Sequence, residues 1–159
     1  MLGSSRKRQL ALLLVLLAGC GGQQQDAGGG TPARVTKVTD GDTIWLSEVG
    51  KVRLIGIDTP EVHGRDECFG REASAFVERA VPVGTAVRYR LGVEERDRYG
   101  RALAYVYLED GRLLNELLAE RGYAQPLTVP PNDELSSRFV AAARRAREAK
   151  LGLWRACAA

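Results

Sequence analysis

Residues 34–61 read R-V-T-K-V-T-D-G-D-T-I-W-L-S-E-V-G-K-V-R-L-I-G-I-D-T-P-E. Apolar and polar side chains alternate over 34–39 and 43–47 on either side of Asp40-Gly41, a turn pair that closes a β-hairpin, and the apolar run over 51–57 continues the sheet. The three runs predict an antiparallel meander. Within this stretch, 40–43 and 53–61 together gather four carboxylates (Asp40, Asp42, Asp58 and Glu61), an arginine (Arg53) and a Thr59-Pro60 corner. Strict alternation would send Arg53 and Asp58 to opposite faces, since they are separated by an odd number of residues. Gly56 lies between them, where a bulge or barrel bend can re-aim one of the pair.

Downstream, Ala73, Phe76, Val77 and Ala80 recur at helical spacing and predict a helix over 70–81. Residues 85–91 and 101–108 alternate again, the latter through Leu103, Tyr105 and Tyr107. Leu113, Leu114, Leu117 and Leu118 form an apolar stripe closed by Gly122; Leu135, Phe139, Ala142 and Ala146 form another closed by Gly152. Asn132 and Asp133 are N-cap candidates for the last helix. The order predicts an α+β chain, mainly β: a five-stranded Greek-key barrel with three packed α-helices.

The amino terminus has a different character. Arg6-Lys7-Arg8 precedes a short apolar run over 10–17, the pattern of a secretion signal and too short to remain as a membrane span. Leu17-Ala18-Gly19-Cys20 resembles the bacterial lipobox, in which the cysteine is lipidated and becomes the first residue of the mature chain. The expected divisions are a signal over 1–19, a flexible Gly/Gln-rich tether over 20–32 and one folded domain over 33–159. A cell-envelope lipoprotein, anchored outside the cytoplasm through Cys20, is the expected location.

Removing the signal also changes the charge. The chain has 23 Lys+Arg against 20 Asp+Glu, and Arg6, Lys7 and Arg8 account for the whole excess. Overall basicity is therefore no argument for nucleic-acid binding, and any affinity for polyanions must come from local placement. With Cys20 acylated, Cys68 and Cys157 remain as an even pair in an oxidising compartment, and a disulfide between them is expected. No C-x-x-C is present and His63 is the one histidine, which argues against a zinc site. His63 itself reads as a solvated loop histidine.

The acidic stretch and a second cluster, Asp97-Arg98-Tyr99-Gly100-Arg101, together suit phosphodiester hydrolysis. Hard oxygen ligands can hold a divalent cation, a carboxylate can steer water, and two guanidiniums can grip a transition state that spreads charge over phosphate oxygens. The motifs V-T-D-G-D-T, R-L-I-G-I-D-T-P-E, G-R-E-A-S-A-F, D-R-Y-G-R-A-L-A-Y-V-Y, L-L-N-E-L-L-A-E-R-G-Y-A and K-L-G-L-W, in this order, resemble the staphylococcal nuclease (thermonuclease) family from about residue 34 to 154.

That resemblance implies an OB-fold barrel and a monomeric calcium-dependent nuclease that cleaves DNA and RNA to 3′-phosphate products. It implies Ca2+ ligands at Asp42, Asp58 and the backbone carbonyl of Thr59. Glu61 is the implied residue that orients or deprotonates water, Arg53 and Arg101 hold the scissile phosphate, and Arg98 and Tyr99 lie by the terminal phosphate and sugar. Arg98 departs from the family's lysine. Residues 125–131, Q-P-L-T-V-P-P, depart further, because the family commonly places tyrosines there and one packs on the base. The rival reading is a catalytically silent OB-fold lipoprotein that binds nucleic acid or protein; retention of the whole acidic and arginine set favours the enzyme. Arg138, Arg144, Arg145, Arg147 and Lys150 on the last helix read as a solvated face, with an auxiliary phosphate track as the sharper alternative.

Overall fold

A computed structural model describes residues 29–64 and 66–157. The expected signal, Cys20 and most of the expected tether lie outside the described residues. Strand β1 (Thr31–Val38) begins two residues ahead of the expected boundary at 33, because Thr31 and Pro32 already pair with Tyr89 and Arg88. It is followed by β2 (Thr43–Leu46) and β3 (Gly50–Leu54), which complete the antiparallel meander. Alternation decides which side each residue takes: Ile44, Leu46, Val52 and Leu54 are buried at 0–1% exposure, whereas Trp45, Lys51 and Arg53 point outward.

Helix α1 (Gly70–Ala80) leads to β5 (Ala86–Arg96) and β6 (Ala102–Leu108), and the strands close into a five-stranded barrel in the order β1-β2-β3-β6-β5. The β3–β6 pair is parallel and the others are antiparallel. This is an OB-type Greek-key barrel. Between β3 and α1 lies β4 (Ile57–Asp58), a two-residue strand outside the barrel that pairs with β7 (Gln125–Pro126). Helices α2 (Leu114–Glu120) and α3 (Ser136–Glu148) pack together against the barrel, and Phe139 of α3 meets Tyr105 of β6 at 6.2 Å between rings. A short α4 (Leu153–Ala156) adds a fourth helix to the three expected.

The expected single strand over 51–57 is broken. Gly56 has φ +83°, and a Cβ there would lie 2.2 Å from the ring of Phe139, so the turn both needs glycine's conformation and sits in close contact with α3. This bend settles the parity conflict between Arg53 and Asp58. A second difference concerns Asn132, which does not cap α3. Its side chain instead accepts a hydrogen bond from the Glu94 N–H at 3.0 Å and donates to the Glu94 carbonyl at 2.8 Å, while α3 starts at Ser136. Pairing with a strand backbone consumes the side chain that the cap would have used.

The chain's end is tied back to the loop ahead of α1. Cys68 and Cys157 form a disulfide with Cα atoms 5.9 Å apart. The Leu153 N–H also donates to the Gly122 carbonyl at 2.8 Å, which seats α4 on the end of α2.

Candidate active site

The β1–β2 turn carries the buried end of the site. Asp42 is only 8% exposed, and a carboxylate so placed requires partners. It has four. Its Oδ2 accepts from the N–H and from the hydroxyl of Thr59, both at 3.1 Å, its Oδ1 accepts from the Thr43 hydroxyl at 3.1 Å, and Arg53 Nη2 approaches Oδ2 at 3.1 Å. Gly41 makes this convergence possible, since a Cβ there would stand 2.8 Å from Thr59 Oγ1.

Arg53 is the hub. Its Nη1 donates to the carbonyls of Leu54 and Ile57 at 2.5 and 2.8 Å, across the bend at Gly56, and its Nη2 reaches Asp58 Oδ1 at 2.7 Å. One nitrogen thus touches both Asp42 and Asp58. The bend itself is held by Asn115 of α2, fully buried, whose Nδ2 donates to the Ile55 carbonyl at 2.8 Å and whose Oδ1 accepts from the Val106 N–H at 3.0 Å. From the other side the Leu127 N–H donates to the Gly56 carbonyl at 3.0 Å.

Glu61 is exposed on the loop after Pro60. Its backbone is clamped by Glu67: the Glu61 N–H donates to Glu67 Oε2 at 3.1 Å and the Glu67 N–H to the Glu61 carbonyl at 2.9 Å. Burial and mutual repulsion act together on the carboxyls here, burial more strongly. Burial and then Asp42, Asp40, Asp58 and Glu67 push the Glu61 carboxyl above the usual range. Burial and Asp42 do the same to Asp40. Burial raises Asp58 too, against the pull of Arg53 and with help from Asp42 and Glu67.

A second group stands on the β5–β6 turn. Asp97 Oδ2 accepts from Arg101 Nε at 2.6 Å and Oδ1 accepts from the N–H groups of Arg101 and Tyr99, both at 2.9 Å. Burial works against its charge, yet these bonds, led by the Arg101 side chain, hold the Asp97 carboxyl below the usual range. Arg98 donates to the Tyr99 hydroxyl at 2.6 Å, and Arg98 and Arg101 lie over the Tyr99 ring at 4.8 and 5.4 Å. An open groove of about 500 Å³ runs between the groups, lined by Arg53, Arg98, Tyr99, Arg101, Leu103, Leu127 and Val129. Asp42, Asp58 and Glu61 do not line it; Arg53 is the shared boundary.

The residues fit a hard divalent cation. Asp42, Asp58 and the Thr59 carbonyl are all oxygen donors, and the mutual repulsion among Asp40, Asp42, Asp58, Glu61 and Glu67 is the kind a cation relieves. Among the described residues no group of three or more His, Cys, Asp or Glu side chains is placed to hold a metal ion by itself. Two carboxylates and a carbonyl would leave further positions of such a cation open.

A family model described as Staphylococcal nuclease homologue matches residues 51–156. The chain belongs to the staphylococcal nuclease family. It is 38% identical over 127 residues to the thermonuclease of Staphylococcus hyicus, covering 76% of this chain and 74% of that one. It is 37% identical over 126 residues to the thermonuclease of Staphylococcus intermedius, with the same coverage. It is also 33% identical over 134 residues to endonuclease YhcR of Bacillus subtilis, covering 76% of this chain but 11% of that longer protein.

Within this staphylococcal nuclease barrel, sequence reasoning missed Asn115, Glu67 and the bracing role of Asn132. The signal for Asn115 was an amide inside an otherwise apolar helical stripe; Glu67 offered none, because its carboxylate and its N–H serve the backbone of Glu61 on an irregular loop. His63 contacts the Thr39 carbonyl at 3.2 Å from an exposed position. The arginines of α3 do not join the site through any described contact: Arg138 pairs with Glu116, Arg144 lies near Glu148 and Arg147 covers the Trp154 ring.

Proposed function

We propose that this domain is a calcium-dependent nuclease that hydrolyses phosphodiester bonds of DNA and RNA and leaves 3′-phosphate products. The observation that carries this is Arg53, which contacts Asp42 and Asp58 on one side and lines the Arg101 groove on the other. Phosphate binding and the acidic centre thereby meet at one guanidinium.

Arg53 and Arg101 hold the scissile phosphate, each through a planar fork that matches phosphate oxygens, and their contacts strengthen as negative charge grows on those oxygens. Glu61 accepts a proton from the attacking water. The water oxygen bonds to phosphorus, the bond to the 5′ oxygen breaks, and that oxygen takes its proton from solvent water. Asp42, Asp58 and the Thr59 carbonyl would hold Ca2+, which supplies charge neutralisation at the phosphate and acidifies bound water. Arg98 and Tyr99 receive the neighbouring phosphate and sugar.

The protein is also read as an extracytoplasmic lipoprotein. The Cys68–Cys157 disulfide supports an oxidising compartment, and the anchor at Cys20 rests on the lipobox resemblance. Among the described residues no helix is long and apolar enough to cross a membrane. The activity is tested by incubating the purified protein with plasmid DNA and with RNA, in calcium or in excess chelator. Cleavage with calcium alone, yielding ends that a 3′-phosphatase can dephosphorylate, is expected; equal cleavage in chelator would overturn the reading.

A further inference from the structure

The outward face of the β1–β2–β3 meander holds a feature the hydrolytic centre does not use. Lys37 on β1 pairs with Trp45 on β2, and Trp45 pairs with Lys51 on β3, so one cross-strand row reads lysine, tryptophan, lysine. The adjacent row on the same side runs from Thr43, itself buried beneath the Asp42 contacts, through Arg53 to Leu103. Lys51 and Arg53 are two residues apart on one strand and share a face, which sets the rows about 7 Å apart.

β3 divides the two sides. The groove lies over β3, β6 and the β5–β6 turn, whereas Lys37 and Trp45 lie on β1 and β2, and Arg53 stands between them. A strand whose phosphate rests at Arg53 and which enters the groove on one side leaves over the lysine–tryptophan row on the other.

The row is built for such an occupant. The barrel core is filled by the inward neighbours Ile44 and Leu46, so Trp45 is not needed there and remains 37% exposed. Its Nε1 donates to Thr39 Oγ1 at 3.2 Å, which fixes the indole instead of leaving it to swing. Neither lysine takes part in an ion pair among the described residues. An isolated exposed tryptophan would mean little. A fixed one between two unpaired cations, one row from the phosphate-holding arginine, has the composition of a single-strand binding surface, where bases stack on aromatic rings and cations track the backbone.

We propose that Trp45, flanked by Lys37 and Lys51, is a stacking platform for the unpaired polynucleotide on the side of the scissile phosphate opposite the groove. The inference rests on the nuclease reading and adds to it a preference for longer single strands, DNA or RNA, over short oligonucleotides. It also supplies stacking outside the groove, whose wall lacks an aromatic at 127 and 129.

The test measures binding in excess chelator, so that no substrate is cut, with a labelled dinucleotide and a single-stranded oligonucleotide of about 12 nucleotides, within the site sizes of OB domains. Trp45→Ala should weaken binding of the long oligonucleotide about 5- to 150-fold, the worth of one stacked base, and leave the dinucleotide unaffected. Trp45→Phe should recover most of the loss. Lys37→Gln with Lys51→Gln should lower the salt dependence of long-strand binding. In a Trp154→Phe background, which leaves Trp45 as the one tryptophan, the long oligonucleotide should quench fluorescence and the dinucleotide should not. Equal affinities of Trp45→Ala and the unaltered protein for the long strand, or quenching by the dinucleotide alone, would overturn the platform. Failure of the unaltered protein to cleave with calcium would instead overturn the nuclease reading.

Discussion

The two walls of the site are built in opposite ways. On the carboxylate wall, Asp42 is 8% exposed and carries hydrogen bonds or ion contacts from Thr43, Thr59 and Arg53. On the groove wall, Leu127, Val129 and Tyr99 are 42%, 55% and 67% exposed, and the segment bearing the first two is held by its backbone. Groups that stabilise developing charge must be preorganised, because reorganising during the reaction costs what the interaction would contribute. Groups that receive a nucleoside need only offer a surface. Positions 127 and 129 of the groove wall can therefore be aliphatic and exposed, while Asp42 on the carboxylate wall is held by hydrogen bonds and an ion contact.

The contrast is open to direct test, beginning with what anchors the Glu61 loop. Glu67 clamps Glu61, and the adjacent Cys68 is bound to Cys157, 89 residues away. Replacing both cysteines by serine should reduce unfolding free energy by about 4–5 kcal/mol at most in the chain-entropy description, read from urea unfolding midpoints. Unchanged midpoints would mean that the loop is held by its hydrogen bonds alone.

Arg101→Lys keeps charge but loses the fork. Turnover should fall at least about a hundredfold, or about 2.7 kcal/mol, with KM changed much less. A KM effect alone would mean that Arg101 serves substrate binding and not the transition state.

The carboxylate wall also has a pH signature. Asp40, Asp58 and Glu61 have raised carboxyl pKa values in the fold, so without a cation they subtract stability as pH rises through those values. Calcium binds the charged form, so its stabilising effect should be greatest above that range, about 1.4 kcal/mol at ten times its Kd, and should fade as the carboxyls protonate. Thermal unfolding with and without calcium across pH checks this; a calcium effect that grows toward acid would contradict it. The smallest effect belongs to the groove. Val129→Tyr should tighten oligonucleotide binding by about 1 kcal/mol without altering kcat.

How far the sequence revealed this depends on the length of the signal. The barrel strands were legible because four or more alternating residues distinguish inside from outside, and α1, α2 and α3 because their apolar stripes repeat over about two turns or more. β4 and β7 have two residues each, too few for any period, and they were hidden. Asn132 has the chemistry of a cap, but Gly92 lies so close that a Cβ there would stand 2.4 Å from its Oδ1, and the amide serves the β5 backbone instead. Asp42, Arg53 and Asp58 could be picked out by residue type and motif. That a single Arg53 nitrogen touches both carboxylates required the bend at Gly56, which the parity conflict located without giving its direction.

The central claim is that Asp42 and Asp58 hold the cation on which cleavage depends, and calcium titration of the cleavage rate for the unaltered protein and Asp42→Asn tests it most directly. Asparagine preserves size and an accepting oxygen but removes the charge, and circular dichroism verifies the fold. The unaltered protein should show saturable calcium dependence and no activity in chelator, while Asp42→Asn should need far more calcium and stay at least about a hundredfold slower at saturation. A variant with the normal half-saturation and the normal maximal rate would contradict the assignment.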